Sequence, residues 1–297
     1  MKSIRIRTVS SCFGVEIWPI LVSLLALLFS NVEIGVTTWL SHGGPVIQQC
    51  FAGEPDKKAE ATQPTPKRDT SFTYTLGTHR QSYFKLDGKG SLELQDQLPY
   101  RSERTYRFQR TIHPHQTAIV IMDPWIDMAS EHLNKYYGQI ADTRIVPFVR
   151  HALRMGHPIL VLTNKPELVK YNTGIHPELV RLEAKGKIKT LYHQDLDDKE
   201  FASYLRGKGV HSLVYIGFAS NMCVIGRRMG MIPMVHQGFR LFFVPKASAA
   251  VEYPDTWEDQ SIHLATTKII SQWIAEIVDY DEFMRVGPPA EAAASNE

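Results

Sequence analysis

A chain of 297 residues with 43% hydrophobic content can bury one sizeable core, and its net charge of +2 offers nucleic acid no electrostatic foothold. Three cysteines, at positions 12, 50 and 223, make neither a disulfide framework nor a CxxC metal site. These counts exclude a disulfide-rich miniprotein and a basic nucleic-acid binder.

At the N-terminus, Lys2, Arg5 and Arg7 precede an apolar stretch from Ile17 to Phe29, broken only by Pro19 and Ser23. A basic start followed by about a dozen apolar residues reads as an export signal. The run falls short of the roughly 20 residues that cross a bilayer, so residues 1–50 are read as a signal peptide or a ragged membrane anchor. An exported or membrane-anchored chain is expected, with a cytoplasmic one as the alternative. Residues 51–70 are polar, contain prolines, and read as a flexible linker. A bridge from Cys50 in this region to Cys223 is conceivable in an oxidising compartment.

Residues 71–114 carry short alternating pieces, Phe72–Thr75, Ser91–Leu94 and Tyr106–Phe108, with glycines between them, and predict a small β-rich extension. From Thr117 onward, apolar runs alternate with helical patterns. The runs are Thr117–Met122, Pro158–Leu162, Ile188–Tyr192, Ser212–Ile216 and Phe239–Val244. Their continuous β-branched and aromatic character predicts strands buried on both faces, hence a mostly parallel sheet between helical layers. Helices are predicted over 144–155, 177–185, 197–208 and 222–237, each stopped by a glycine. A last helix over 261–278 is predicted to place Ile262, Ile269, Ile270, Trp273, Ile274 and Ile277 on one face. The main domain spans 115–285, and 286–297 reads as a disordered tail.

Ligands of an open parallel sheet bind beyond the carboxyl ends of its strands. Asp123 follows four apolar residues there, as a partly desolvated carboxylate suited to accepting a thiol proton or, equally, as the N-cap of the next helix. Asp127 is open to the same N-cap reading. Cys223 follows Ser220-Asn221-Met222 at the start of a helix, where backbone N–H groups and the helix dipole would lower a thiol pKa and could hold an oxyanion. A small buried hydrophobe is the equal alternative.

The order apolar strand–Asp123, then Gly217-Phe-Ala-Ser-Asn-Met-Cys223-Val-Ile after a later strand, resembles the isochorismatase-like cysteine hydrolases, over roughly residues 115–280. The resemblance implies an α/β fold of three αβα layers, with a doubly wound, mostly parallel six-stranded sheet. It implies Asp123 as general base, Cys223 as nucleophile, a cis peptide at Phe218–Ala219, and an oxyanion hole from the N–H groups of Ala219 and Cys223. The family's lysine is missing. His193 stands at its position, either as the replacing cation or as the mark of a lost activity, and Lys165 beyond the second strand is a weaker substitute.

The metal-binding Asp and His residues of nicotinamidases are absent after Leu162, so neither metal nor cofactor is expected. His113 and His115, two histidines without a third ligand, read as surface groups. Lys246 stands where relatives carry an aspartate, which predicts a changed charge at the pocket rim. These readings give a cysteine hydrolase acting on a carbon–nitrogen bond of a small amide or related small-molecule substrate; the alternative is a non-catalytic binding module of the same fold tethered at a membrane. No GxGxxG follows any strand, against a dinucleotide-binding domain. Relatives often form homo-oligomers, though no seam is legible in one chain.

Overall fold

The computed structural model of the chain describes residues 71–82, 104–128 and 130–287. Residues 1–50, read as a signal or anchor, residues 51–70, read as a linker, the Ser91–Leu94 piece and the tail beyond Gly287 lie outside these residues.

The strands are β1 (Tyr74–Ser82), β2 (Arg104–Ile112), β3 (Thr117–Met122), β4 (Ile159–Thr163), β5 (Lys189–Tyr192), β6 (Ser212–Phe218), β7 (Arg240–Ala249) and β8 (Glu276–Val278). They form one sheet in the order β2-β1-β8-β7-β6-β3-β4-β5. The six strands from β8 to β5 run parallel, as the resemblance implies. The extension supplies the other two: β1 pairs antiparallel with β2 and with β8, so it prolongs the sheet edge.

Helices cover both faces. On one side, α1 (Glu131–Ile140), α2 (Val146–Met155), α3 (Pro177–Ala184) and α7 (Tyr280–Arg285) bury Tyr137, Phe148, Leu179 and Phe283 against Ile119, Ile121 and Ile216. On the other, α4 (Asp198–Gly207), α5 (Met231–His236) and α6 (Ser261–Ile269), which continues to Ile274, bury Phe201, Met234 and Ile270 against Val120, Leu213 and Phe243. All six residues of β3 are buried, as a central strand without a solvent face requires.

The helix expected over 144–155 is α2, stopped by Gly156. The sequence reading lacked α1 before it, which Ser130 caps through Leu133 N and which the π-helical turn Ala141–Ile145 joins to α2. Two helical expectations are corrected. The stretch 222–237 is broken around Arg227–Gly230 instead of forming one helix. The last helix stops at Ile274; Ile277 lies on β8, and Ile269 and Trp273 face outward, leaving Ile270 and Ile274 to pack on the sheet.

Glycine decides how closely β6 approaches β3. Gly217 has φ +106, and a Cβ there would overlap the Met122 carbonyl oxygen. Only glycine lets the end of β6 lie directly against the end of β3, which brings the segments after Met122 and Phe218 together.

His157 ties β1 to the start of β3. Its Nδ1–H donates to the Thr117 carbonyl (2.7 Å) and its Nε2 accepts from the Tyr74 hydroxyl (2.9 Å). Both bonds use the neutral ring, and burial drives its pKa down to about 4. A depressed folded-state value means that the stabilisation is complete above the unfolded value of about 6.5 and is lost as pH falls toward 4, up to about 3 kcal/mol. Denaturant midpoints of the wild-type chain should therefore fall between pH 6.5 and 4, and H157Q should fall less steeply across that window. Equal slopes would show that His157 is not buried neutral.

Candidate active site

Asp123 follows β3 directly, its N–H still bonded to the Leu162 carbonyl at 2.9 Å. The residue is fully buried and has φ +45. It caps no helix. His193 Nε2 donates to Oδ1 at 2.9 Å, and Arg227 Nη1 donates to Oδ2 at 2.8 Å. The same Arg227 Nη1 lies 3.8 Å from Cys223 Sγ, and the Asp123 charge acts on the thiol. Asp127, the other candidate cap, instead accepts from Thr173 N and Oγ1 across the loop beyond β4.

Cys223 lies in the turn Ser220–Val224 that follows β6, after a cis peptide bond at Phe218–Ala219. The turn is tied down on several sides. Tyr137 stacks on Phe218 with ring centroids 4.0 Å apart, and Asn221 Oδ1 accepts from Val251 N at 3.0 Å. His263 Nε2 donates to the Pro245 carbonyl (3.2 Å), which leaves Nδ1 to accept from the Ser220 hydroxyl (2.9 Å). The N–H groups of Ala219 and Cys223 belong to this anchored segment.

The thiol does not behave as its position at a helix start suggested. Burial first, then the charge and hydrogen bond of Asp123, push its pKa up to about 12, against the opposing pull of Arg227. At neutral pH the resting group is a protonated thiol near a carboxylate. A single short turn supplies too little dipole to offset desolvation and a neighbouring anion.

His193 sits just past β5, with its N–H on the Thr163 carbonyl at 3.0 Å. It serves Asp123, and its buried Nδ1 has no hydrogen-bond partner among the described residues. Lys165 is a loop charge, paired with Asp195 at 2.6 Å and about one-third exposed. Lys246 lies within β7, short of the strand's carboxyl end, and pairs with Asp281 at 2.6 Å; the expected change at the rim does not arise there. His113 and His115 flank the turn before β3, remote from these groups in the sheet. Among the described residues there is no group of three or more His, Cys, Asp or Glu placed to hold a metal ion.

Two residues escaped the sequence reading. Arg227 lies four positions after Cys223, one helical turn on, and its Nη1 is 3.8 Å from Sγ as well as bonded to Asp123. Asn164, after β4, accepts from Arg227 Nη2 and from Gln194 Nε2 (3.1 Å). The i, i+4 spacing was the available signal for Arg227. Asn164 had none, because its partners lie 30 and 63 residues away.

No family model and no curated protein matches the chain. Solved structures do. The nicotinamidase from Staphylococcus aureus is 14% identical, over 55% of this chain and 97% of that one, with a TM-score of 0.43. A cysteine hydrolase from Pseudomonas syringae pv. phaseolicola 1448A is 18% identical over 59% and 93%, TM-score 0.43. An isochorismatase from Pseudomonas putida KT2440 is 17% identical over 57% and 90%, also at 0.43. The chain's own six parallel strands between two helical layers, with an aspartate after β3 and a cis-peptide turn to cysteine after β6, give it an isochorismatase-like fold.

Proposed function

We propose that this chain is a cysteine hydrolase that cleaves the carbon–nitrogen bond of a small amide. The observation that carries the reading is Arg227 Nη1, which donates to the buried Asp123 carboxylate at 2.8 Å and lies 3.8 Å from Cys223 Sγ, so that base and thiol meet at one cation. A nucleophile, its base and a cation within bonding reach are the minimum set for acyl transfer.

In this reading the thiol gives its proton to Asp123 as sulfur attacks the carbonyl carbon. The carbonyl π electrons move to oxygen, where the N–H groups of Ala219 and Cys223 receive the charge. Collapse breaks the carbon–nitrogen bond, and the nitrogen takes the proton held on Asp123. Water then gives a proton to Asp123 and attacks the thioester. The sulfur leaves and recovers that proton. Burial and the Asp123 charge keep the resting thiol protonated at pH 7, so a base must take its proton for sulfur to attack, and Asp123 is that base. His193 holds the second carboxylate oxygen, and so fixes which lone pair faces the sulfur.

The same proposal includes export or anchoring through the basic and apolar N-terminal segment. Among the described residues no helix is long and apolar enough to cross a membrane.

The test is release of ammonia or amine from a panel of small amides. The wild-type chain should turn over at least one class, and C223A should lose on the order of 10⁴-fold or more of that rate while folding normally. A C223A rate equal to the wild type's sinks the mechanism, and no turnover by the folded wild-type chain favours the binding module.

A further inference from the structure

The cation of this site stands on the nucleophile's own turn. We propose that Arg227, and not His193, is the catalytic cation, shared by Asp123 and Cys223 and bridging them through one guanidinium nitrogen. The inference rests on the hydrolase reading for its chemistry but not for its geometry.

The argument starts with the backbone. Arg227 N still donates to the Cys223 carbonyl at 3.2 Å, one helical turn on, and then the helix stops. Met229 takes φ +62, its N–H on Asp198 Oδ1 (2.6 Å) and its carbonyl on the Tyr215 hydroxyl (2.7 Å). Gly230 closes the break; a Cβ there would meet the Arg227 and Cys223 carbonyl oxygens at 2.6 and 2.9 Å. Two hydrogen bonds to Met229 and the glycine after it thus end the helix where the Arg227 side chain can fold back over the sulfur.

The side chain is fixed as firmly. Nη1 serves Asp123 Oδ2 and approaches Sγ, and Nη2 is on Asn164 Oδ1. The guanidinium carbon lies 5.7 Å from the Trp125 ring centre, and Trp125 is itself held by its Nε1–H on Thr163 Oγ1 (2.8 Å). Its planar fork can meet Asp123 and Asn164 at once, which a lysine ammonium cannot do in the same geometry. The His193 ring, among the described residues, donates to Asp123 and does not reach the sulfur with a hydrogen bond.

The substitution has a chemical consequence. A guanidinium does not give up its proton in a protein, so Arg227 stabilises negative charge on sulfur but cannot carry the proton to the leaving nitrogen. That proton returns from Asp123, which makes the carboxylate both base and acid in each half-reaction.

Iodoacetamide alkylation of Cys223 across pH 7–10 reads the cation without any substrate. With the two other cysteines changed to serine, R227Q should be alkylated about tenfold more slowly than its parent, and R227K about threefold more slowly, since an opposite charge beside an ionising group is worth about one pKa unit or more. An R227Q rate equal to or above the parent's overturns the proposal, as does an R227K rate equal to that of R227Q. Should R227Q fail to fold, R227K against the parent carries the test, with equal rates overturning it. If alkylation depends on Arg227 and the wild-type chain hydrolyses no amide, the cation assignment stands and the hydrolase reading falls.

Discussion

Replacing Asp123 with asparagine is expected to lower amide turnover on the order of 10³-fold and, in the same protein, to make Cys223 more reactive toward iodoacetamide. The two effects have opposite signs because the carboxylate does two things. In the proposed mechanism it accepts the thiol proton during attack, and at rest its negative charge opposes formation of the thiolate. Asparagine ends both roles and leaves Arg227 beside the sulfur. The alkylation rate should rise about tenfold at neutral pH. The variant should also fold, because asparagine tolerates a positive φ better than most residues. Its carbonyl can accept from Arg227 and its amide can donate to His193 Nε2, once the ring proton moves to the unpartnered Nδ1. Parallel turnover and alkylation assays with a thermal melt decide the matter. Alkylation no faster than in the wild type would mean that Asp123 does not face the sulfur in solution.

The parts of this molecule that sequence reasoning reached are those set by local chemistry. Thr117–Met122 is a strand with those ends because six residues without a charge can only run through the middle of a sheet. The helices that end before Gly156, Gly186, Gly209 and Gly238 do so because each glycine takes a positive φ. Asp123 and Cys223 were legible as strand-end polar groups, and the fold brings both to Arg227 Nη1. What escaped depends on distant partners. The helix break at Met229 is made by Asp198 and Tyr215, 31 and 14 residues away, and no periodicity records it. Glu276–Val278 reads as helix until β7 and β1 offer ladders on either side. The rise in the thiol pKa depends on how much water the fold removes, and a turn motif carries no information about that.

Glu276 shows how the extension is bound to the parallel sheet, and removing its carboxylate should be strongly destabilising. Glu276 opens β8 and is 2% exposed. Arg110 of β2 donates to both its oxygens, at 2.9 and 2.8 Å, and Thr78 of β1 donates to Oε2 at 2.5 Å. Arg80 and Arg240 add positive charge nearby, and it is the Glu276 charge that opposes the lowering of the Arg80 pKa by burial. Glu276→Ala would thus leave clustered guanidinium groups without this counter-charge. Loss of one partner from a buried ion pair costs about 3–5 kcal/mol, which for a domain of this size corresponds to a fall in melting temperature of about 10 °C. The alkylation rate of Cys223 in the folded fraction should not change, because Glu276 pairs with Phe242 near the start of β7, at the opposite end of the sheet from the nucleophile turn. Adding Arg110→Met to Glu276→Leu should recover much of the loss, since paired apolar replacements remove the unbalanced charge along with the pair. A double variant no more stable than Glu276→Leu alone would show that Arg110 is not the group whose charge Glu276 balances.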